Sequence, residues 1–186
     1  TDKEEDDLIS SWCKTKQLIC FRGSEWDVLG RFYNAYKKHS DAKVLVRICA
    51  DNLLISFQVM DQVIERYCSI DCDYMSNANR PPNYSEDGFA VEVFSPRALE
   101  LAHINSKLLS EREHVCPWMK KELKANWINT RAGYSHKLSV DTEQDLQAVE
   151  RIFQELEAVS DFSIEDVDEL LHNMPEIKLI NHDSVV

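Results

Sequence analysis

The run "KVLVRIC", residues 43–49, most constrains the fold, because apolar and β-branched side chains occupy both of its alternating faces. A strand of this kind is typical of a parallel sheet that helices cover on both sides. Asp51 comes just after the run. In open α/β sheets, ligands bind beyond the carboxyl ends of the strands. The pattern therefore predicts that this run is a central strand and that Asp51 lies at a ligand site. The alternative, an aspartate that caps the next helix, is weaker because Ser56 is better placed as that cap.

Helical and strand patterns alternate along the rest of the chain, which predicts a single α/β domain over residues 1–186, built on a mostly parallel sheet. Ser24 is the predicted N-cap of the second helix. The predicted helices cover residues 4–15, 23–40, 56–68, 96–106, 110–123 with a break near Pro117, 142–159 and 163–174, and the predicted strands cover 17–21, 43–49, 73–76, 90–95, 125–129 and 136–140.

The overall charge excludes several classes of partner. The formal net charge is -12, so the mean electrostatic field repels phosphates, which argues against nonspecific binding to nucleic acid or to an anionic membrane. The chain shows no signal peptide and no long apolar span, and its six cysteines form no CxxC pair. These features predict a cytoplasmic protein with reduced thiols.

A second aspartate, Asp141, has the same local context as Asp51, because it follows the apolar run "KLSV" and precedes an acid-rich helix. Either Asp141 or Thr142 is a candidate N-cap of that helix. Two strand-end carboxylates at one sheet edge also suit Mg²⁺, which takes oxygen ligands and often combines one or two carboxylates with substrate phosphates. Phosphoryl or nucleotidyl transfer is therefore the leading chemistry, and a metal-dependent phosphohydrolase is an alternative that uses the same two aspartates.

Six segments in order along the chain carry a family resemblance: "FRGSEWDVLGRFYNAY", "VRICADNLLI", "DYMSN", "DGFAVEVFS", "SEREHVCPW" and "LSVDTEQDL". Together they resemble the spore-coat-polysaccharide (SpsF-type) cytidylyltransferase family, related to the enzymes that activate acylneuraminate and 3-deoxy-manno-octulosonate. The resemblance implies a three-layer, Rossmann-like nucleotide-diphospho-sugar transferase fold. It also implies a reaction in which a hydroxyl of a sugar or sugar acid attacks the α-phosphorus of CTP and releases pyrophosphate.

The resemblance assigns residues to this reaction. Asp51 and Asp141 match the family's Mg²⁺ ligands and are the expected catalytic residues. Asn52 belongs to the same segment as Asp51 and is expected to contact substrate. Glu92 resembles an acidic residue that faces the sugar, and a structural ion pair is the alternative for it. The segment "SEREHV" resembles a signature near the sugar pocket, with a helix-start charge network as its alternative, and it supplies the further substrate-contact candidates Arg112, Glu113 and His114.

The chain departs from the family pattern at its start. Relatives open with a strand and a glycine- and arginine-containing loop that wraps the CTP phosphates, whereas this sequence opens with "TDKEEDD". The expectation is a fold that lacks the first β-α-β portion and binds CTP weakly by itself. A catalytically inactive binding or assembly module is therefore the alternative function. Related enzymes form homodimers near the sugar-facing strands, and Tyr84, Trp127 and Tyr134 are the expected interface aromatics.

Overall fold

The computed structural model describes residues 1–39, 41–78, 87–130, 136–157 and 162–182. The chain forms two compact units, one made of residues 1–45 and 94–125 and the other of residues 46–93 and 126–186. After a 3-10 turn at Glu4–Asp6, the elements run in the order α1 (Asp7–Thr15), α2 (Val28–His39), β1 (Leu45–Arg47), α3 (Phe57–Ser69), β2 (Tyr74–Ser76), β3 (Glu92–Phe94), α4 (Pro96–Asn105), α5 (Leu109–His114), α6 (Pro117–Glu122), β4 (Ala125–Trp127), α7 (Glu143–Glu155), α8 (Ile164–Asn173) and α9 (Ile177–Ile180).

The first unit is helical, and α2 packs against both α4 and α5. The predicted cap of α2 is wrong by three positions. Helix α2 begins at Val28, and Asp27 rather than Ser24 accepts a hydrogen bond from the Gly30 amide, at 2.9 Å. Ser24 instead accepts from the Asp27 amide at 3.2 Å, so it supports the capping residue. The expected break near Pro117 is confirmed, since α5 ends at His114 and α6 starts at Pro117.

The second unit carries a four-stranded sheet in the order β1-β3-β2-β4. Strands β2 and β3 are buried along their whole length. Strand β1 was expected to be central and covered on both faces, but it lies at an edge of the sheet formed by the described residues. Because an edge strand has a neighbour on one side only, Val46 keeps 40% of its surface exposed.

Two predicted strands do not form. Residues 18–22 have no regular structure, and Leu18 and Ile19 are exposed, so no neighbouring strand pairs with them. Residues 136–140 also run without strand structure. The carboxylate of Asp87 accepts the backbone N–H groups of Leu138 and Ser139, which removes the donors that a strand ladder would need.

Helix α7 borders the candidate site, and its start is set by Thr142, which accepts a hydrogen bond from the Asp145 amide at 3.2 Å. Helices α8 and α9 both pack on α7. The inner face of α7 buries Ala148, Val149 and Ile152. Within the described part of the chain, no helix has the length and apolar character that a membrane crossing requires.

Candidate functional site

Asp51 lies in a turn between β1 and α3. The Asn52 amide donates to the Cys49 carbonyl at 3.2 Å, which closes the turn, and Asn52 itself is buried. Helix α3 is capped by Ser56, whose hydroxyl accepts from the Val59 amide at 3.2 Å, as the sequence predicts. Asp51 therefore does not cap α3. Its Oδ1 atom is buried and accepts no hydrogen bond from any residue that the structure describes.

Asp141 precedes α7, and the structure decides between the two candidate caps of that helix. Thr142 is the cap, and Asp145 returns the interaction by accepting from the Thr142 amide at 2.9 Å. The Asp141 side chain remains 60% exposed. Its contacts with Lys137 Nζ, at 2.9 Å, and with Ser139 Oγ, at 3.4 Å, are both made by Oδ2.

The two aspartate segments are adjacent within the second unit. The backbone N–H of Val140 donates to the backbone carbonyl of Asp51 at 3.0 Å. Asp141 is thus one residue away from a direct contact with Asp51. The backbone contact brings the two segments together, and the shared metal site stays a prediction.

A buried carboxylate that sequence reasoning did not select, Asp145, organises this region. It is fully buried, and it accepts hydrogen bonds from the Asp141 amide at 3.1 Å and from Asn181 Nδ2 at 2.9 Å. It also pairs with the ammonium of Lys137. Burial alone raises a carboxyl pKa, but the hydrogen bonds from Lys137, Asn181 and Thr142 outweigh it and hold the pKa of Asp145 well below its ordinary value. The pattern Thr-x-x-Asp at a helix start is the sequence signal that points to this role.

The loop at Asp87 and Gly88 also contacts the segment that leads to Asp141. Asp87 accepts the Ser139 amide at 2.8 Å. Gly88 has φ +82°, and a Cβ placed there would lie 2.6 Å from the Cβ of Leu138. Only glycine suits this position, since it combines a left-handed backbone with close approach of another segment.

Glu92, on β3, is inside the sheet region rather than open to solvent. Its Oε2 pairs with the guanidinium of Arg47, and its Oε1 accepts from the Tyr74 hydroxyl at 2.6 Å. The Glu92 side chain is 7% exposed. Both oxygens are engaged by neighbouring strands, which is the structural ion pair that the sequence left open as the alternative. Its contact with a sugar stays a prediction.

Arg112, on α5, is engaged within the first unit. Its Nε and Nη2 atoms bind Asp27 Oδ1 and Oδ2 at 2.8 and 2.5 Å, and its Nη1 donates to the His103 carbonyl at 2.8 Å. Burial raises the pKa of Asp27, but hydrogen bonds from Arg112 and Gly30 outweigh it and lower that pKa below its ordinary value. The guanidinium thus joins the cap of α2 to α4, which is the charge-network alternative to a substrate contact.

Glu113 and His114, the next two residues of this signature, are exposed. They precede an unusual turn at Val115, which has φ 69° and ψ -56° and is fully buried. The Cys116 amide donates to the His114 carbonyl at 2.8 Å, so the turn is a γ-turn of the strained, positive-φ type. Roles for Glu113 and His114 in substrate binding stay predictions.

The expected interface aromatics fall mostly outside the described residues, as Tyr84 and Tyr134 do. Trp127 is half-buried, and its ring meets that of Tyr74 edge to face with centroids 6.4 Å apart. This contact occupies part of the Trp127 surface within its own unit. The homodimer stays a prediction.

The described residues hold no group of three or more His, Cys, Asp or Glu side chains arranged around a metal position. Two carboxylates nevertheless suit Mg²⁺, because substrate phosphates and water complete its coordination. The orphaned buried oxygen of Asp51 and the exposed carboxylate of Asp141 are hard anionic donors of the required kind. The chemistry of these donors is compatible with Mg²⁺, and the metal itself stays a prediction.

Comparisons with known proteins agree on one family. A family model described as "Cytidylyltransferase" matches residues 1–179. An uncharacterized protein from Methanocaldococcus jannaschii is 34% identical over 189 residues, covering 97% of this chain and 74% of its own length. The spore coat polysaccharide biosynthesis protein SpsF from Bacillus subtilis is 24% identical, covering 95% of this chain and 74% of its own length.

Among solved structures, a cytidylyltransferase from Leptospira borgpetersenii superposes with a TM-score of 0.84. The identity is 24%, and the match covers 95% of this chain and 75% of the other. At this identity the superposition shows the fold, which is the predicted Rossmann-like α/β fold, with a mixed sheet.

Proposed function

Because the chain belongs to the cytidylyltransferase family, we propose that it transfers the cytidylyl group of CTP to a sugar or sugar acid, with Mg²⁺ held by Asp51 and Asp141. The family supports nucleotidyl transfer as the reaction class. The name of the Bacillus subtilis relative supports a pathway that builds a cell-surface polysaccharide.

One observation carries the assignment of the site. Asp51 places a buried, unpartnered carboxylate oxygen beside the segment that bears Asp141, and a backbone hydrogen bond of 3.0 Å fixes the two segments together. A buried carboxylate oxygen without a partner is costly, since it loses the hydrogen bonds that water would supply. A ligand that is itself a cation removes that cost.

The chemistry follows from the substrates. A hydroxyl oxygen forms a bond to the α-phosphorus of CTP and gives up its proton to water, the bond from that phosphorus to the bridging oxygen of the β-phosphate breaks, and pyrophosphate leaves with the electron pair. When bound, Mg²⁺ supplies positive charge to the triphosphate oxygens. Asp51 and Asp141 hold the metal, and Asp145 holds the main chain of Asp141 in place through its amide. Most of the remaining rate gain comes from aligning the hydroxyl with the leaving group.

The test is pyrophosphate release by the full-length gene product, measured with CTP and a panel of sugar acids and neutral sugars, with and without Mg²⁺. ATP, GTP and UTP serve as nucleotide controls. The proposal expects release that requires CTP, one class of sugar and the metal together. Release that persists after removal of divalent metal would contradict the site, and absence of release with every sugar would favour the inactive binding or assembly module.

A further inference from the structure

Lys137 is a cation built into the candidate metal site. Its ammonium is 2.9 Å from Asp141 Oδ2, pairs with Asp145 and lies 3.4 Å from the Ser139 carbonyl. The side chain is 19% exposed, so most of its length is covered while its head group faces two carboxylates. All of these residues belong to the second unit.

The network behind Lys137 keeps the ammonium in place. Asp145 is fully buried and is fixed by hydrogen bonds from Thr142 Oγ1 and Asn181 Nδ2, each at 2.9 Å. Asn181 also donates to the Lys137 carbonyl at 3.0 Å, so both the main chain and the head group of Lys137 are anchored. The ammonium of Lys137 thus lies against two carboxylates, Asp141 and Asp145, and this arrangement favours its charged form.

A divalent cation bound to Asp141 would lie close to the positive charge of the Lys137 ammonium. Mg²⁺ binds carboxylate oxygen at about 2.1 Å, so a metal on Asp141 lies within a few ångströms of a group that already sits on the same carboxylate. Like charges this close repel each other strongly in a partly buried site. A nucleotide triphosphate removes the conflict because its anionic oxygens accept the ammonium and the metal together.

We propose that Lys137 is the resident counter-cation of Asp141, which keeps divalent metal weakly bound until the nucleotide triphosphate arrives and then pairs with that triphosphate. Lys137 thus contacts the nucleotide directly and makes metal and nucleotide bind together. The proposal rests on the proposed function, because it takes Asp141 as a metal ligand.

The experiment titrates the nucleotide-free, full-length gene product with Mn²⁺ alone and measures free Mn²⁺ by electron paramagnetic resonance. Lys137→Gln is expected to bind Mn²⁺ at least about tenfold more tightly than the parent, since a positive charge next to the ion is gone. Lys14→Gln, an exposed lysine near the end of α1, is the matched control and is expected to leave the affinity unchanged. Adding Asp141→Asn to Lys137→Gln is expected to abolish the gain.

Removal of Lys137 leaves Asp145 buried without its cation, so the charge-balanced pair Lys137→Gln with Asp145→Asn provides a second variant with the same expected gain in affinity. Equal Mn²⁺ affinity in the parent and in both Lys137 variants would overturn the proposal. An unchanged KM for CTP in Lys137→Gln would overturn the part of the proposal in which Lys137 pairs with the triphosphate. Failure of the proposed function has a different signature, because Asp51→Asn and Asp141→Asn would then leave Mn²⁺ binding to the nucleotide complex unaffected.

Discussion

Asp51 and Glu92, both in the second unit, were each selected as site candidates next to or within a predicted strand. Their carboxylate oxygens differ in whether the chain itself satisfies them. Glu92 gives one oxygen to Arg47 and the other to Tyr74. Asp51 keeps a buried oxygen that no described residue satisfies. Glu92, with both oxygens engaged by its own chain, serves the fold, whereas Asp51 keeps an oxygen that is available to a ligand, and this difference is the reason why we propose Asp51 rather than Glu92 as a metal ligand.

The largest expected effect concerns Asp141, which we propose shares the metal with Asp51. Asp141→Asn keeps the size of the side chain and removes its charge, so kcat is expected to fall by about 10²-fold, or about 3 kcal/mol of transition-state stabilisation. Stability is expected to change little, because the ion pair of Asp141 with Lys137 is exposed on the aspartate side. Pyrophosphate release and thermal unfolding measure the two quantities. Glu150→Gln on the exposed face of α7 is the control and is expected to keep the parent activity. An Asp141→Asn variant as active as the parent would contradict the assignment.

The next effect concerns Glu92, whose two oxygens are engaged by Arg47 and Tyr74. Glu92→Gln removes the buried negative charge that pairs with the Arg47 guanidinium, so we expect a loss of about 3 kcal/mol in the free energy of unfolding. The KM for the sugar is expected to stay near the parent value, since both oxygens serve the sheet. Urea denaturation and steady-state kinetics on one preparation separate the two roles. A raised sugar KM with unchanged stability would return Glu92 to the substrate site that the family resemblance implies.

A smaller effect is expected at the loop that holds the Asp141 segment. Gly88→Ala puts a Cβ 2.6 Å from Leu138 at a residue with φ +82°, and we expect a loss of about 2 kcal/mol in unfolding free energy. Gly23→Ala is the control. Its new Cβ meets only the flexible side chain of Arg31, at 3.1 Å, and the ring of Phe21, at 3.6 Å. Equal unfolding midpoints for the two variants would show that the approach of Gly88 to Leu138 carries no constraint.

The last effect, and the smallest when it is expressed per pH unit, is the acid dependence of stability that Asp145 provides. Its pKa is lowered in the folded state, so its contribution is present above the unfolded value, about 4, and is lost as the pH falls below it. The free energy of unfolding is expected to drop by up to about 1.4 kcal/mol per pH unit on account of this one group. Denaturation between neutral pH and about pH 2 measures the slope. Asp145→Asn is expected to flatten it, and an unchanged slope would place the proton uptake elsewhere.

Sequence patterns predicted most helices and the strands β1 to β4 because these depend on local periodicity and caps. Ser56 and the break at Pro117 are examples. The patterns did not predict that β1 lies at an edge of the sheet that the described residues form. The strand expected at residues 136–140 failed for a nonlocal reason, since the side chain of Asp87 takes its backbone donors. The γ-turn at Val115 was equally hidden, because a β-branched residue at positive φ opposes its own propensity.

In the candidate site too, local patterns revealed some residues and missed others. Asp51 and Asp141 were candidates from the sequence because each follows an apolar run and precedes a helix. Only the structure shows that Thr142 rather than Asp141 caps the second of these helices, and the role of the two aspartates as metal ligands stays a prediction. The hydrogen bonds that occupy Glu92 and Arg112 come from residues far along the chain, such as Arg47 and Asp27, so no local pattern reveals them. Asp145 and Lys137 were missed although several of their contacts are local, since Lys137 pairs with Asp141 four residues on and the Thr-x-x-Asp capping pattern pointed to Asp145. The burial of Asp145 against Asn181, 36 residues away, was not visible in the local pattern.

The central claim is that the unfilled oxygen of Asp51 is a metal ligand. The most direct measurement is calorimetric titration of the full-length gene product with Mg²⁺ in the presence of a CTP analogue that cannot release pyrophosphate, for the parent and for Asp51→Asn. The account predicts that Asp51→Asn weakens Mg²⁺ binding by at least about tenfold, since one anionic ligand is lost, while the unfolding midpoint stays within the error of the parent value. Mg²⁺ affinity in Asp51→Asn equal to that of the parent would contradict it.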